Sequence, residues 1–439
     1  MREANRQGKW GHRPSRNLLP RVVAIIVVLL ASAFVTDSAT ASARGAEATS
    51  PSSKQAAGSS QCTPGSVQLS SATPSALALL QSTEAWNRST GAGITVAVVD
   101  SGVDASNPHL VGAVIGGTNL VGDGENLSGL TDLDGHGTAI AGEIAARPLA
   151  GSGVVGLAHG AKILSVRVFR GTDDESTKAG FGPSVDKLAQ GIRYATDHGA
   201  TIINVSLSDY AENTALRTAV GYATSRGSLV VASAGNRATS TDKTDGTRYP
   251  AGYPEVLGVT ATTEAGQATE DSIHGSHVRV AAPGSKILTS ATGAGDCMYA
   301  TDAPSSSFAT GYVSAAAALV AQTYPSESPA QWIYRLEATA LRDNPDARND
   351  FTGWGIVQPA SALVLVPSST TRGPRSPFVN TDSRSPLTHE GVVVAAETVS
   401  ARDDSNHDFL ISIGIIGATA LGALALVTTI RRRKTKQSN

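Results

Sequence analysis

The chain has 439 residues, of which 35 are Lys or Arg and 37 are Asp or Glu, for a formal net charge of −2. With no basic stripe interleaved with aromatics outside the termini, that balance excludes a nucleic-acid partner. Only 16% of the residues are charged while Ala, Gly, Ser and Thr abound, as in many exported proteins, and the length is ample for a large buried core.

At the N-terminus, Arg13, Arg16 and Arg21 precede an apolar run from Val22 to Val35, and Ala39-Thr40-Ala41-Ser42-Ala43 follows with small residues. This is the layout of an export signal over residues 1–43. An uncleaved anchor is the alternative, but the run is short for a bilayer. Residues 44–90 form an extension that opens with a Ser/Ala-rich stretch and contains Cys62.

From Ile94 onward, strand and helix patterns alternate. Short apolar runs at Ile94–Val99, Ile163–Phe169, Thr201–Leu207, Leu229–Ala232 and Val256–Ala261 read as buried parallel strands. Val185–Asp197, Ala211–Ser225 and Ser307–Thr323 have helical length and spacing. Alternation of this kind implies an α/β fold with a mainly parallel central sheet covered by helices on both faces. Sites in such sheets gather at the carboxyl ends of the strands.

The C-terminal part has a different character. Residues 366–408 hold Pro367, Pro374, Pro377 and Pro386 among many Ser, Thr and Arg, and read as a flexible stalk. Phe409 to Ile430 is 22 residues without a charge, enough to cross a hydrocarbon core. Arg431-Arg432-Arg433-Lys434 and Lys436 follow, and positive clusters stay in the cytoplasm. The expected topology is a folded domain over 91–365 outside the cell, one membrane span, and a cytoplasmic tail over 431–439. In that compartment the two cysteines, Cys62 and Cys297, are expected to be oxidised. A Cys62–Cys297 bridge would strap the extension onto the domain; two free thiols or an intermolecular bond are the alternatives.

Three polar motifs sit at element boundaries. Val96-Ala97-Val98-Val99-Asp100-Ser101-Gly102 ends an apolar strand on a carboxylate, Asp134-Gly135-His136-Gly137-Thr138 places a histidine between glycines, and Ser307-Phe308-Ala309 opens a small-residue helix. An acid, a histidine and a serine in that order make a nucleophilic serine site. His136 would act as the base and Asp100 would hold and charge-stabilise its imidazole, so that Ser307 can attack a carbonyl. Asn236, turned out of the 229–232 strand by Gly235, can donate its amide to a tetrahedral oxyanion. The backbone N–H of Ser307, at a helix start, would be the second donor. Among nine histidines only His136 has this setting. No His pair has zinc-protease spacing, and no acidic stretch has the ligand spacing of a calcium loop, so neither metal nor cofactor is expected.

These blocks resemble the subtilases, and within them the mycosins, membrane-anchored subtilases of type VII secretion. The likeness runs from about Gly91 to Leu363 and rests on the aspartate block 93–104, the histidine block 134–142, Ser233-Ala234-Gly235-Asn236, and Ser305-Ser306-Ser307-Phe308-Ala309-Thr310-Gly311. It implies a subtilisin-like fold, polypeptide substrates, a secretion membrane complex as partner, and an N-terminal wrap in place of a folded propeptide. It also implies that Ser206-Leu207-Ser208 and Val231-Ala232-Ser233 flank the substrate pocket. The serine block departs from the family pattern, which has Gly-Thr-Ser and a proline four residues after the serine. Here Ser305 replaces the glycine and Gly311 the proline. A structural subunit of a secretion complex, with proteolysis weakened, and a general surface-degradative protease are the competing functions.

Overall fold

The computed structural model describes residues 67–293 and 295–378. Its strands are β1 (Thr95–Asp100), β2 (Val114–Asn119), β3 (Lys162–Arg167), β4 (Ile202–Val205), β5 (Leu229–Ser233), β6 (Leu257–Thr262), β7 (Val280–Pro283), β8 (Ile287–Ala291) and β9 (Gly295–Tyr299). Its helices are α1 (Ser75–Leu79), α2 (Ser82–Trp86), α3 (His136–Ala145), α4 (Asp174–Lys178), α5 (Val185–Asp197), α6 (Thr214–Ser225), α7 (Ser306–Thr323), α8 (Pro329–Ala338) and α9 (Pro359–Ala362).

β1 to β7 form one parallel sheet in the order β2-β3-β1-β4-β5-β6-β7. The alternation along β1 explains its unbroken apolar run. Val96 and Val98 pack into one core with Ile140 of α3 and Val313 and Leu319 of α7. Ala97 and Val99 pack into the other with Leu188 and Ile192 of α5 and Val220 of α6. A strand covered on both faces has no polar side to show. The expected α/β layering is thus present, with β8 and β9 as a separate antiparallel ribbon.

The described part of the N-terminal extension belongs to the same body. Leu77, Leu80 and Ala85 are buried in the α3/α7 core. Gln68 bridges Gly295 in parallel, Gly153 N–H donates to Ser70 O at 2.7 Å, and Ser70 N–H donates to the Asp296 carboxylate at 2.8 Å. Residues 366–378, placed in the stalk by composition, also lie against the body. Ser376 is buried, and the Arg335 guanidinium lies over the ring of Tyr324, at 3.4 Å, and over that of Phe378, at 5.5 Å. Apolar and cation–π contacts hold this segment despite its proline content. The export signal, Cys62, the remaining stalk, the 409–430 span and the basic tail lie outside the described residues. Among the described residues no helix is long and apolar enough to cross a membrane.

α3 and α7, which carry His136 and Ser307, cross closely. A Cβ on Gly311 would lie 2.3 Å from a carboxyl oxygen of Glu143, so that position admits no side chain while Glu143 faces it. Glu143 is 2% exposed, and neither carboxyl oxygen has a partner among the described residues. Burial pushes its pKa well above the ordinary 4.5. A raised carboxyl favours the folded state fully below its unfolded value and progressively less as pH rises through its folded value. Glu143→Gln, neutral at every pH, should melt with the parent below pH 4.5 and increasingly above it toward alkaline pH. Parallel melting curves across that range, measured by calorimetry, would count against a buried protonated carboxyl.

Candidate active site

Asp100 is the last residue of β1 and is fully buried. Its Oδ1 accepts from Ser101 N–H and lies 2.8 Å from His136 Nδ1, so Nδ1 is the donor of that bond. His136 opens α3, and the turn before it explains the flanking glycines. Gly135 has φ of 90°, the left-handed region that suits glycine. A Cβ on Gly137 would sit 2.1 Å from Gly102 O, and its N–H donates to Ser101 Oγ at 2.9 Å. Asp132 caps this helix start, accepting from Gly135 N–H, Thr138 N–H and Thr138 Oγ1 at 2.7–2.8 Å.

The electrostatics of His136 follow from its neighbours. Burial would lower its pKa, but the charge and hydrogen bond of Asp100 raise it, joined by the charges of Asp134 and Asp132. The result is an imidazole pushed up from 6.5 to about 9. Its side chain remains 23% exposed, and Phe308 of α7 packs beside it with ring centres 5.5 Å apart.

Ser307 reaches the same edge of the sheet through the start of α7. Ser306 N–H and Ser306 Oγ donate to Asn236 Oδ1 at 2.8 and 2.9 Å, and Ser306 Oγ lies 2.7 Å from Ser233 Oγ. These bonds fix the amide so that Asn236 Nδ2 faces the helix start, where it donates to Ser305 Oγ at 3.3 Å. The Ser307 hydroxyl donates to Ser206 O at 3.1 Å, and the Ser206 hydroxyl donates back to Ser307 O at 3.1 Å. Among the described residues Ser307 makes no hydrogen bond to His136. Asn204 secures the arrangement from β4, donating to Ser206 Oγ and accepting from Ser314 Oγ.

The pocket residues divide into two groups. Leu207 and Ser208 are half-buried. Ser206, Ala232 and Ser233 are buried, and the two serine hydroxyls are engaged in holding α7. They stand within the two segments expected to flank the pocket, with their side chains buried in the fold. The acidic loop at 171–183 is tied to the histidine block through Thr172 N–H, which donates to Asp134 Oδ2 at 3.3 Å. Cys297 lies buried in β9. Among the described residues no group of three or more His, Cys, Asp or Glu is placed to hold a metal ion.

Sequence reasoning missed Ser306, Ser101 and Asp132, which orient the site without contributing the chemistry. Asp132 gave no N-cap signal, because it lies three residues before the N-cap, Gly135. The other two had none beyond adjacency.

This fold and arrangement define a subtilisin-type serine peptidase. The chain belongs to the subtilase family, whose model matches residues 91–355. It is 32% identical over 404 residues to Mycosin-3 of Mycobacterium tuberculosis, covering 80% of this chain and 82% of that protein. It is 35% identical over 298 residues to Fervidolysin of Fervidobacterium pennivorans, covering 63% of this chain but only 42% of that protein's length. The solved structure of MycP3 protease from the type VII (ESX-3) secretion system superposes with a TM-score of 0.59 at 30% identity, covering 70% of this chain and 94% of that one.

A base must be neutral to accept a proton, so hydrolysis that uses His136 should rise with pH, with the midpoint of kcat/KM near pH 9 and a plateau above it. Asp134→Asn removes one of the charges that raise the imidazole and should shift the midpoint of kcat/KM down toward 6.5. An unmoved pH profile would show that Asp134 does not act on His136.

Proposed function

We propose that the chain is a membrane-anchored serine endopeptidase acting outside the cell on exported polypeptides, beside a type VII secretion membrane complex. Asp100, His136 and Ser307 form its triad. The Asp100–His136 bond at the carboxyl end of β1, with the start of α7 at the same sheet edge, is the observation that carries this reading. Likeness over 70% of this chain to the MycP3 protease from the type VII (ESX-3) secretion system supports the secretion setting, and the 409–430 sequence supports the anchor. A Cys62–Cys297 bridge fits the path of the extension, which pairs with β9 at Gln68, six residues after Cys62.

The reaction begins when the Ser307 hydroxyl turns from Ser206 O to His136 Nε2. Its oxygen bonds to the substrate carbonyl carbon as its proton passes to Nε2, and Asp100 stabilises the imidazolium. The carbonyl oxygen becomes an oxyanion and accepts from Asn236 Nδ2 and the Ser307 N–H. Collapse breaks the C–N bond, His136 gives its proton to the leaving amine, and water repeats the sequence on the acyl-enzyme.

The resting direction of the Ser307 hydroxyl favours a second reading, a structural subunit with weakened proteolysis. In that case Ser307→Ala in the native host would leave secretion intact while deletion of the chain abolishes it. For the enzymatic reading, a fluorophosphonate probe should label the full-length chain and fail to label Ser307→Ala. Asn236→Ala should slow labelling by about 10²–10³, as loss of one such donor does in subtilisin. Labelling that persists in Ser307→Ala would remove Ser307 from the reaction.

A further inference from the structure

We infer that the Ser305 hydroxyl occupies the oxyanion position of the resting site and must rotate away before a substrate carbonyl can be polarised. The inference rests on the roles proposed above for Ser307 and Asn236. Both donors assigned to the oxyanion point at one atom of the protein itself. Asn236 Nδ2 and Ser307 N–H each donate to Ser305 Oγ, at 3.3 Å.

The reason lies in helix capping. Ser305 is the N-cap of α7, with extended backbone at φ −125° and ψ 126°. Serine is favoured at that position because its oxygen accepts one of the N–H groups that the helix leaves unpaired. In α7 that N–H belongs to Ser307, so the group satisfied by the cap is the one the reaction needs. The backbone on either side is fixed by Ser305 N–H donating to Gly284 O at 2.8 Å and by Ala309 N–H donating to Ser305 O at 3.3 Å. The side chain alone is therefore free to move, by rotation about χ1.

Two features make this displacement feasible. Both bonds to Ser305 Oγ are long for hydrogen bonds to a hydroxyl, hence weak. A peptide oxygen that develops negative charge is a stronger acceptor than a neutral hydroxyl and wins the same donors. The Ser305 cap and the Ser307–Ser206 bond then describe one resting state, in which each hydroxyl is paired inside the protein. A substrate must displace the first and recruit the second.

The sign of the effect separates this inference from the opposite role, in which the Ser305 hydroxyl donates a third hydrogen bond to the oxyanion. The test is the second-order rate of fluorophosphonate labelling of the full-length chain and its variants, with melting temperature measured alongside. Ser305→Gly should label about three- to tenfold faster, the worth of one ordinary neutral hydrogen bond. Ser305→Ala should gain by a similar factor while melting lower, because alanine caps poorly. Ser305→Thr, which keeps the hydroxyl, should stay at or below the parent rate. Labelling of Ser305→Gly by the probe under conditions in which the parent chain resists it would support the inference most strongly. Slower or unchanged labelling in Ser305→Gly and Ser305→Ala would overturn it, as would a gain confined to glycine, which would point to backbone freedom. In each of those cases, labelling that Ser307→Ala abolishes leaves the nucleophile reading standing. Absence of labelling in both the parent and Ser305→Gly would overturn the two together.

Discussion

A helix can run through the middle of a protein only if its first N–H groups find acceptors. α7 is buried along almost its whole length, so this requirement cannot be left to water. Asn236 Oδ1 takes the N–H of Ser306, Ser305 Oγ takes that of Ser307, and Ser305 O takes that of Ala309. The candidate site is made largely of these acceptors. Because the amide oxygen of Asn236 is committed to the helix, its nitrogen is turned toward the place where an oxyanion would form. The donor that the proposed chemistry needs would then be a by-product of the helix start.

The same logic operates at α3. Asp132 caps its first turn, and that carboxylate, with Asp100 and Asp134, surrounds an imidazole with negative charge. Capping and catalysis make opposite demands there. Acidic groups stabilise a helix N-terminus, yet each one holds the proton of His136 more tightly and would move the working range of the proposed base to higher pH. The two helices meet at Glu143 and Gly311, so the packing that fixes one candidate residue also fixes the other.

Much of this was legible in the sequence because it depends on local pattern. The five apolar runs became β1, β3, β4, β5 and β6, and α7 begins one residue before Ser307. The strands that were missed lack that pattern. β2 contains Gly116 and Gly117, where a Cβ on Gly117 would meet Ser165 O at 2.4 Å, and β7 is only Val-Ala-Ala-Pro. α3 escaped notice because Gly137 and Gly142 weaken its helical signal, although both are required by close approach to neighbouring elements. The Asp100–His136 contact followed from motif chemistry. The direction of the Ser307 hydroxyl and the burial of Ser206 and Ser233 did not, because they are set by partners about 70 to 100 residues away.

The two departures from the subtilase pattern in the serine block act in one direction. Proline at 311 would remove an N–H from α7, whereas glycine restores it and leaves room for the Glu143 carboxyl. Glycine at 305 would leave the first turn uncapped by a side chain, whereas serine caps it. Both changes favour an ordered, self-satisfied helix start over a nucleophile held ready. Under the proposed mechanism, such a chain does not abolish the reaction but moves part of its barrier to the moment of substrate binding. A peptide that fills the cleft must then supply the interaction energy that turns two serine hydroxyls. Binding energy used in this way discriminates among substrates, because a poorly fitting chain cannot complete the site it needs. The altered turn is therefore compatible with a slow, selective peptidase and argues against an indiscriminate one.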